Sequence, residues 1–125
     1  MTTFHAVVWL DHSEAHVLMF DREHAEAQRI KSRSHHTPKH GHVKGDKDFF
    51  NAVAKALEGV HEILLTGPAN AKVEFRDHCK LNHTAVDKGI VDVLNSDHPT
   101  DNQLVAMARK YFAKYDTTTA DPSQV

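Results

Sequence analysis

A single cysteine, Cys79, is all the thiol chemistry in this 125-residue chain, so no internal disulfide can form. A small domain that holds together without such links suits a reducing compartment, and a cytoplasmic location is the expectation. Long apolar runs are missing too. No stretch approaches the roughly 20 residues needed to cross a bilayer, so no membrane partner is expected. The opening MTTFHAVVWLDHSEAH has neither the basic start nor the apolar stretch of a signal peptide. Excess charge is missing as well: the net charge is −2, which does not mark the whole molecule as a polyanion binder. Neither an internal repeat nor a break in composition divides the chain. It reads as one domain over residues 1–116, with a polar tail over 117–125 (TTTADPSQV) expected to be disordered. What the chain has in excess is histidine, twelve in all.

Phe4 to Leu10 is an apolar run containing Val7, Val8 and Trp9, the composition of a strand buried on both faces. A turn-like Asp11-His12-Ser13-Glu14 leads into a second apolar stretch, Ala15 to Phe20, which predicts a hairpin. After Asp21 to His24, the stretch Ala25 to Arg33 sets a few apolar sites among polar ones and reads as an exposed, charged edge strand. Residues 34–47 (SHHTPKHGHVKGDK) read as a long loop, of a length that is usually either functional or disordered. Phe49, Phe50, Val53 and Leu57 then fall at helical spacing over Asp48 to Gly59. HEILLT (61–66) is a short buried strand, Gly67-Pro68 turns the chain, and Ala69 to Leu81 is helical. Lys88 to Leu94 reads as a fifth strand. Thr100 and Gln103 form a capping box for a last helix with an apolar stripe of Leu104, Ala108, Tyr111, Phe112 and Tyr115. The predicted order is β-β-β-α-β-α-β-α: a three-layer α/β domain with one mixed five-stranded sheet.

Two segments carry a resemblance. His61-Glu62-Ile63-Leu64-Leu65-Thr66-Gly67-Pro68, with Ala71-Lys72 and Phe75, resembles the strand–Gly-Pro–helix segment of the middle domain of eukaryotic and archaeal peptide-release factors and pelota-type proteins. His98-Pro99-Thr100-Asp101 resembles sequences in stand-alone bacterial relatives called translational machinery proteins. The likeness runs from about residue 4 to 115 and implies a ribonuclease H-like fold of the translational-machinery type. It also implies ribosomal RNA, tRNA or the ribosome as partner. Release factors place a Lys-His-Gly-Arg-Gly-Gly-Gln type loop between the third strand and first helix, and its Gly-Gly-Gln tip promotes peptidyl-tRNA hydrolysis. Here Lys39-His40-Gly41 matches the start of that loop, but Val43-Lys44-Gly45 stands where the tripeptide would follow. The hydrolytic role does not carry over, and the expectation is a binding module without flanking codon-reading domains.

The loop is the leading candidate site. Between Lys31 and Lys47 five cations (Lys31, Arg33, Lys39, Lys44, Lys47) face one acid, Asp46; that local +4 leaves −6 on the remainder. His40 and His42 add charge when protonated. Such a cationic segment suits a phosphate backbone. The plain alternative is a solvated loop that binds nothing specific. His36, His40 and His42 have spacings that could share a metal ion in a metal-assisted hydrolase, yet no second ligand cluster lies nearby, so neither a metal nor a cofactor is expected. The turn from Gly67 to Lys72 leads into a helix start where an anion would be favoured, with Lys72 to neutralise it; a tight turn with a surface lysine is the simpler reading. A two-metal nuclease would need converging carboxylates, and Asp11, Asp48 and Glu58 show no such pattern. Trp9 and Cys79 read as core, and His5, His16 and His61 as strand residues with local hydrogen bonds. His98 reads as shaping the helix entry. A third possibility is a homo-oligomer joined through the exposed third strand.

Overall fold

The apolar run near the start becomes the centre of the molecule. In the computed structural model, which describes residues 5–21, 23–32 and 47–119 (side chains to 114), His5–Leu10 form strand β1. Every residue after His5 in it is buried, because strands flank it on both sides and helices cover both faces. Strand β2, Glu14–Phe20, pairs antiparallel with β1, and strand β3, Ala25–Lys31, pairs antiparallel with β2. An aspartate closes each hairpin by an Asx-type turn. Asp11 Oδ1 accepts from the Ser13 amide (2.8 Å), the Ser13 hydroxyl (2.9 Å) and the Glu14 amide (2.9 Å). Asp21 Oδ1 accepts from the amides of Glu23 (2.8 Å) and His24 (2.7 Å).

Helix α1, Lys47–Ala56, follows, then strand β4, Glu62–Gly67, parallel to β1 on its other side. Helices α2, Ala71–Asn82, and α3, Thr84–Gly89, lead to strand β5, Ile90–Asn95, parallel to β4. Helix α4, Asp101–Thr119, closes the chain. The sheet order is β3-β2-β1-β4-β5, and the sheet is the mixed five-stranded one expected from the sequence.

Two apolar layers sandwich this sheet. On one face Ala6, Val8, Leu10, Val17, Ile63 and Leu65 meet Phe50 and Val53 of α1, Leu57 just after it, Phe75 and Cys79 of α2, and Val86 of α3. On the other, Val7, Trp9, Leu18, Phe20 and Leu64 meet Leu104, Val105, Ala108 and Phe112 of α4. The Trp9 indole N–H donates to the Asp97 carbonyl at 2.6 Å, so the ring is packed and its polar edge satisfied. The capping box at α4 forms as read: the Thr100 amide donates to Gln103 Oε1 (2.9 Å) and the Gln103 amide to Thr100 Oγ1 (3.1 Å).

The structure departs from the sequence reading at α3, which makes four helices rather than three. Lys88 and Gly89 close that helix instead of opening the strand. Val86, 4% exposed, anchors it under the first layer. Gly89 permits its close approach, since a Cβ there would stand 2.9 Å from the Val60 carbonyl oxygen. No helix among the described residues is long and apolar enough to cross a membrane.

Candidate nucleic-acid interface

Strand direction decides which residues gather. β1, β4 and β5 are mutually parallel, and β3, two reversals from β1, points the same way. Their carboxyl ends therefore lie together at one end of the sheet, with the starts of α2 and α4 beside them. Ligands of open α/β sheets bind at such ends. The structure stitches this end firmly. The Ser96 amide donates to the Gly67 carbonyl (3.0 Å), and the buried Thr66 hydroxyl donates to Ser96 Oγ (2.8 Å). Gly67, at φ +154°, presses so close to β1 that a Cβ would lie 2.2 Å from the Leu10 carbonyl oxygen.

The cationic segment enters and leaves here. Ser32, just past β3, donates its amide to the Ser13 carbonyl at 2.8 Å and is 8% exposed, which ties the β3 end to the β1–β2 turn. Lys47 opens α1, which runs back to the start of β4. Of the residues read as phosphate-binding, Lys31 is exposed on β3 and paired in register with Glu14, while Lys47 is exposed at its helix start. Arg33, Lys39, His40, His42 and Lys44 lie outside the described residues, as does His36 of the proposed metal trio.

Lys72 is placed differently from the surface lysine of the sequence reading. It is 4% exposed, and its ammonium donates to the Ala69 carbonyl one turn back. That bond holds the ammonium against the backbone of the turn that leads into α2.

Most described histidines have partners, and they are distant in sequence. His5 Nε2 stands 2.5 Å from Glu62 on the adjacent strand. His16 lies between Asp101 (3.0 Å) at the start of α4 and Glu14 (3.4 Å). His12 reaches Glu74 in the first turn of α2 at 3.1 Å. His98 tilts over Trp9 with centroids 4.5 Å apart, and His61 stands exposed just before β4. His78 and His83 both direct Nε2 at Asn51 Oδ1, at 2.7 and 2.8 Å. Burial, then the neighbouring charges of His83 and Lys47, push the His78 imidazole below its ordinary pKa. The sequence reading missed this cluster; Asn51 is 32 residues from His83, and no spacing rule connects them.

Acid–base chemistry finds little support in the described part. Burial raises the Asp11 carboxyl, but the hydrogen bonds from Ser13 and Glu14, aided by the charge of His98, hold it below the usual carboxylate range. It is committed to its own turn. Burial, then Asp87, push the Cys79 thiol up to about 12, the state of a packed hydrophobe rather than a nucleophile. Among the described residues no three His, Cys, Asp or Glu side chains converge to hold a metal ion.

No protein-family model and no characterised protein matches the chain by sequence. Solved structures do match by shape. Archaeoglobus fulgidus Pelota superposes with a TM-score of 0.65 over 88% of this chain, at 16% identity. The chain has the fold of a Pelota and release-factor domain. The archaeal translation termination factor aRF1 matches with a TM-score of 0.59 over 94% of the chain at 11% identity. S. cerevisiae Dom34, a translation termination-like factor, matches with a TM-score of 0.57 over 85% at 15% identity. This chain spans only 32%, 42% and 32% of those three proteins respectively.

Proposed function

We propose that this domain is a non-catalytic, cytoplasmic module that associates with the ribosome. It contacts ribosomal RNA, tRNA or a ribosome-bound partner through the cationic 33–46 segment and the flanking Lys31 and Lys47. The observation that carries this reading is the fold likeness to Pelota, aRF1 and Dom34 over most of the chain. Dom34 takes part in RNA quality control pathways and interacts with Hbs1, which makes translation the natural setting for the same fold here. The local charge supports an RNA partner: five cations against one acid between Lys31 and Lys47, on a body that is otherwise acidic. The lack of glutamine in that stretch supports a binding role over peptidyl-tRNA hydrolysis.

The test is ribosome co-sedimentation of the full chain at two salt concentrations, beside a variant with Lys39, His40, Lys44 and Lys47 changed to alanine. Binding should weaken with salt, and the variant should lose about two units of the log–log salt slope through its three missing lysines. Association that ignores both salt and these four changes would sink the proposal.

A further inference from the structure

Among the described residues strand β3 has one neighbour in the sheet, and its register with β2 runs from Glu14↔Lys31 to Phe20↔Ala25 without a shift. Two backbone bonds fix which way its amides point. Ser32 N–H donates to the Ser13 carbonyl and Asp21 N–H to the His24 carbonyl. Alternate pairs exchange hydrogen bonds in an antiparallel ladder, so His24, Glu26, Gln28, Ile30 and Ser32 turn toward β2. Ala25, Ala27, Arg29 and Lys31 therefore turn N–H and C=O outward, and among the described residues no strand takes them up. This edge has neither proline nor bulge, and all of its residues except half-buried Ile30 are exposed. Its only guard against pairing is charge, on Glu26, Arg29 and Lys31, which excludes some registers and leaves others open.

The geometry points to a second copy of this chain as the occupant, paired antiparallel through β3 about a two-fold axis at Ala27. The axis stands perpendicular to the sheet, so directly opposed residues share a face and have the same parity. Candidate registers then separate on charge. Centring on Arg29 opposes two guanidiniums, and centring on Glu26 opposes two carboxylates. Centring on Gln28 sets Glu26 against Ile30. Centring on Ala27 opposes Ala25 with Arg29 and Glu26 with Gln28, and brings Lys31 of one copy level with the exposed Glu23 of the other. It also makes the outward groups of Ala25, Ala27 and Arg29 exchange about six backbone hydrogen bonds. The alanine side chains leave room at the junction, and α4 lies over β1 and β2 on that face. The product is one continuous sheet through both copies, with the carboxyl ends of the two β3 strands pointing in opposite directions.

Sedimentation equilibrium of the full chain from about 10 µM to about 1 mM tests this, with the mass expected to rise from 14.1 kDa toward twice that value. Ala27→Pro removes an outward donor without touching the β2 ladder, so it should stay folded by circular dichroism and stay monomeric. Ala27→Lys, which places two ammoniums at the axis, should do the same. Lys31→Glu should weaken the dimer at least about tenfold, and adding Glu23→Lys should restore it to within about threefold. A monomer mass at the highest concentration overturns the proposal, whatever else fills the edge. So does a dimer indifferent to both Ala27 variants, or one that the charge reversal fails to rescue. None of the four substitutions of the ribosome test falls within Ala25–Lys31, so either proposal can fail without the other.

Discussion

β1 and β3 point the same way in one sheet, two places apart, and almost nothing else about them agrees. Five of the six residues of β1 are buried, and it presents one apolar set to each helical layer. Six of the seven residues of β3 are exposed, and it presents charge and alanine to solvent. The backbone geometry is common to both, so position in the sheet, not strand character, decides what each side chain contributes. Stability should be concentrated in the centre and interaction at the edge.

The largest effect should come from Trp9→Ala in β1. It empties the α4 layer and orphans the Asp97 carbonyl, and should cost about 3–5 kcal/mol in urea unfolding. Gly67→Ala comes next. The strain of its backbone alone is worth roughly 1–3 kcal/mol, and the clash with the Leu10 carbonyl adds to it; the shift in thermal midpoint measures the sum. A loss no larger than that of an ordinary surface change would show that the β1–β4 end is loosely held.

The two hairpin aspartates extend the comparison to pH. Hydrogen bonds from the His24 and Glu23 amides hold the Asp21 carboxyl below its ordinary value; at Asp11, burial opposes the same effect and is outweighed. Both groups thus bind protons less readily folded than unfolded. Their stabilisation is present above the unfolded pKa of 3.8 and is lost as pH falls through the depressed folded values. Asp11→Asn and Asp21→Asn should each reduce the acid sensitivity of the urea midpoint between about pH 5 and about pH 2. Equal acid sensitivity in both variants and the parent would refute this. The smallest effect should be Arg29→Ala at the edge, within about 0.5 kcal/mol of the parent in the monomer.

The centre was the legible part. Val7, Val8 and Trp9 could hardly be anything but a buried strand, and the Thr100–Gln103 box announced α4 at its first residue. The helix α3 was hidden because TAVDKG has one apolar anchor, Val86, and its docking depends on a glycine approach that only tertiary structure reveals. Lys72 misled for a similar reason. Nothing local marks a lysine whose ammonium will fold back onto the carbonyl three residues earlier. Of the three histidines read as locally satisfied, two link elements, His16 to Asp101 (besides its neighbour Glu14) and His5 to Glu62, while His61 stands exposed; such pairings are set by topology rather than by spacing. Of the candidate interface, the sequence supplied the charge, while the structure supplied the two anchors, Ser32 and Lys47, at the carboxyl end of the sheet.

Trp9 is the sole indole in the chain, and its surroundings make it an optical gauge. It sits beneath α4 with His98 and His16 rings against it, centroids 4.5 and 5.4 Å away. Its emission should redden when that helix lifts. Undocking of one layer can thus be watched by fluorescence, with no label attached, while the layer on the far side of the sheet stays dark.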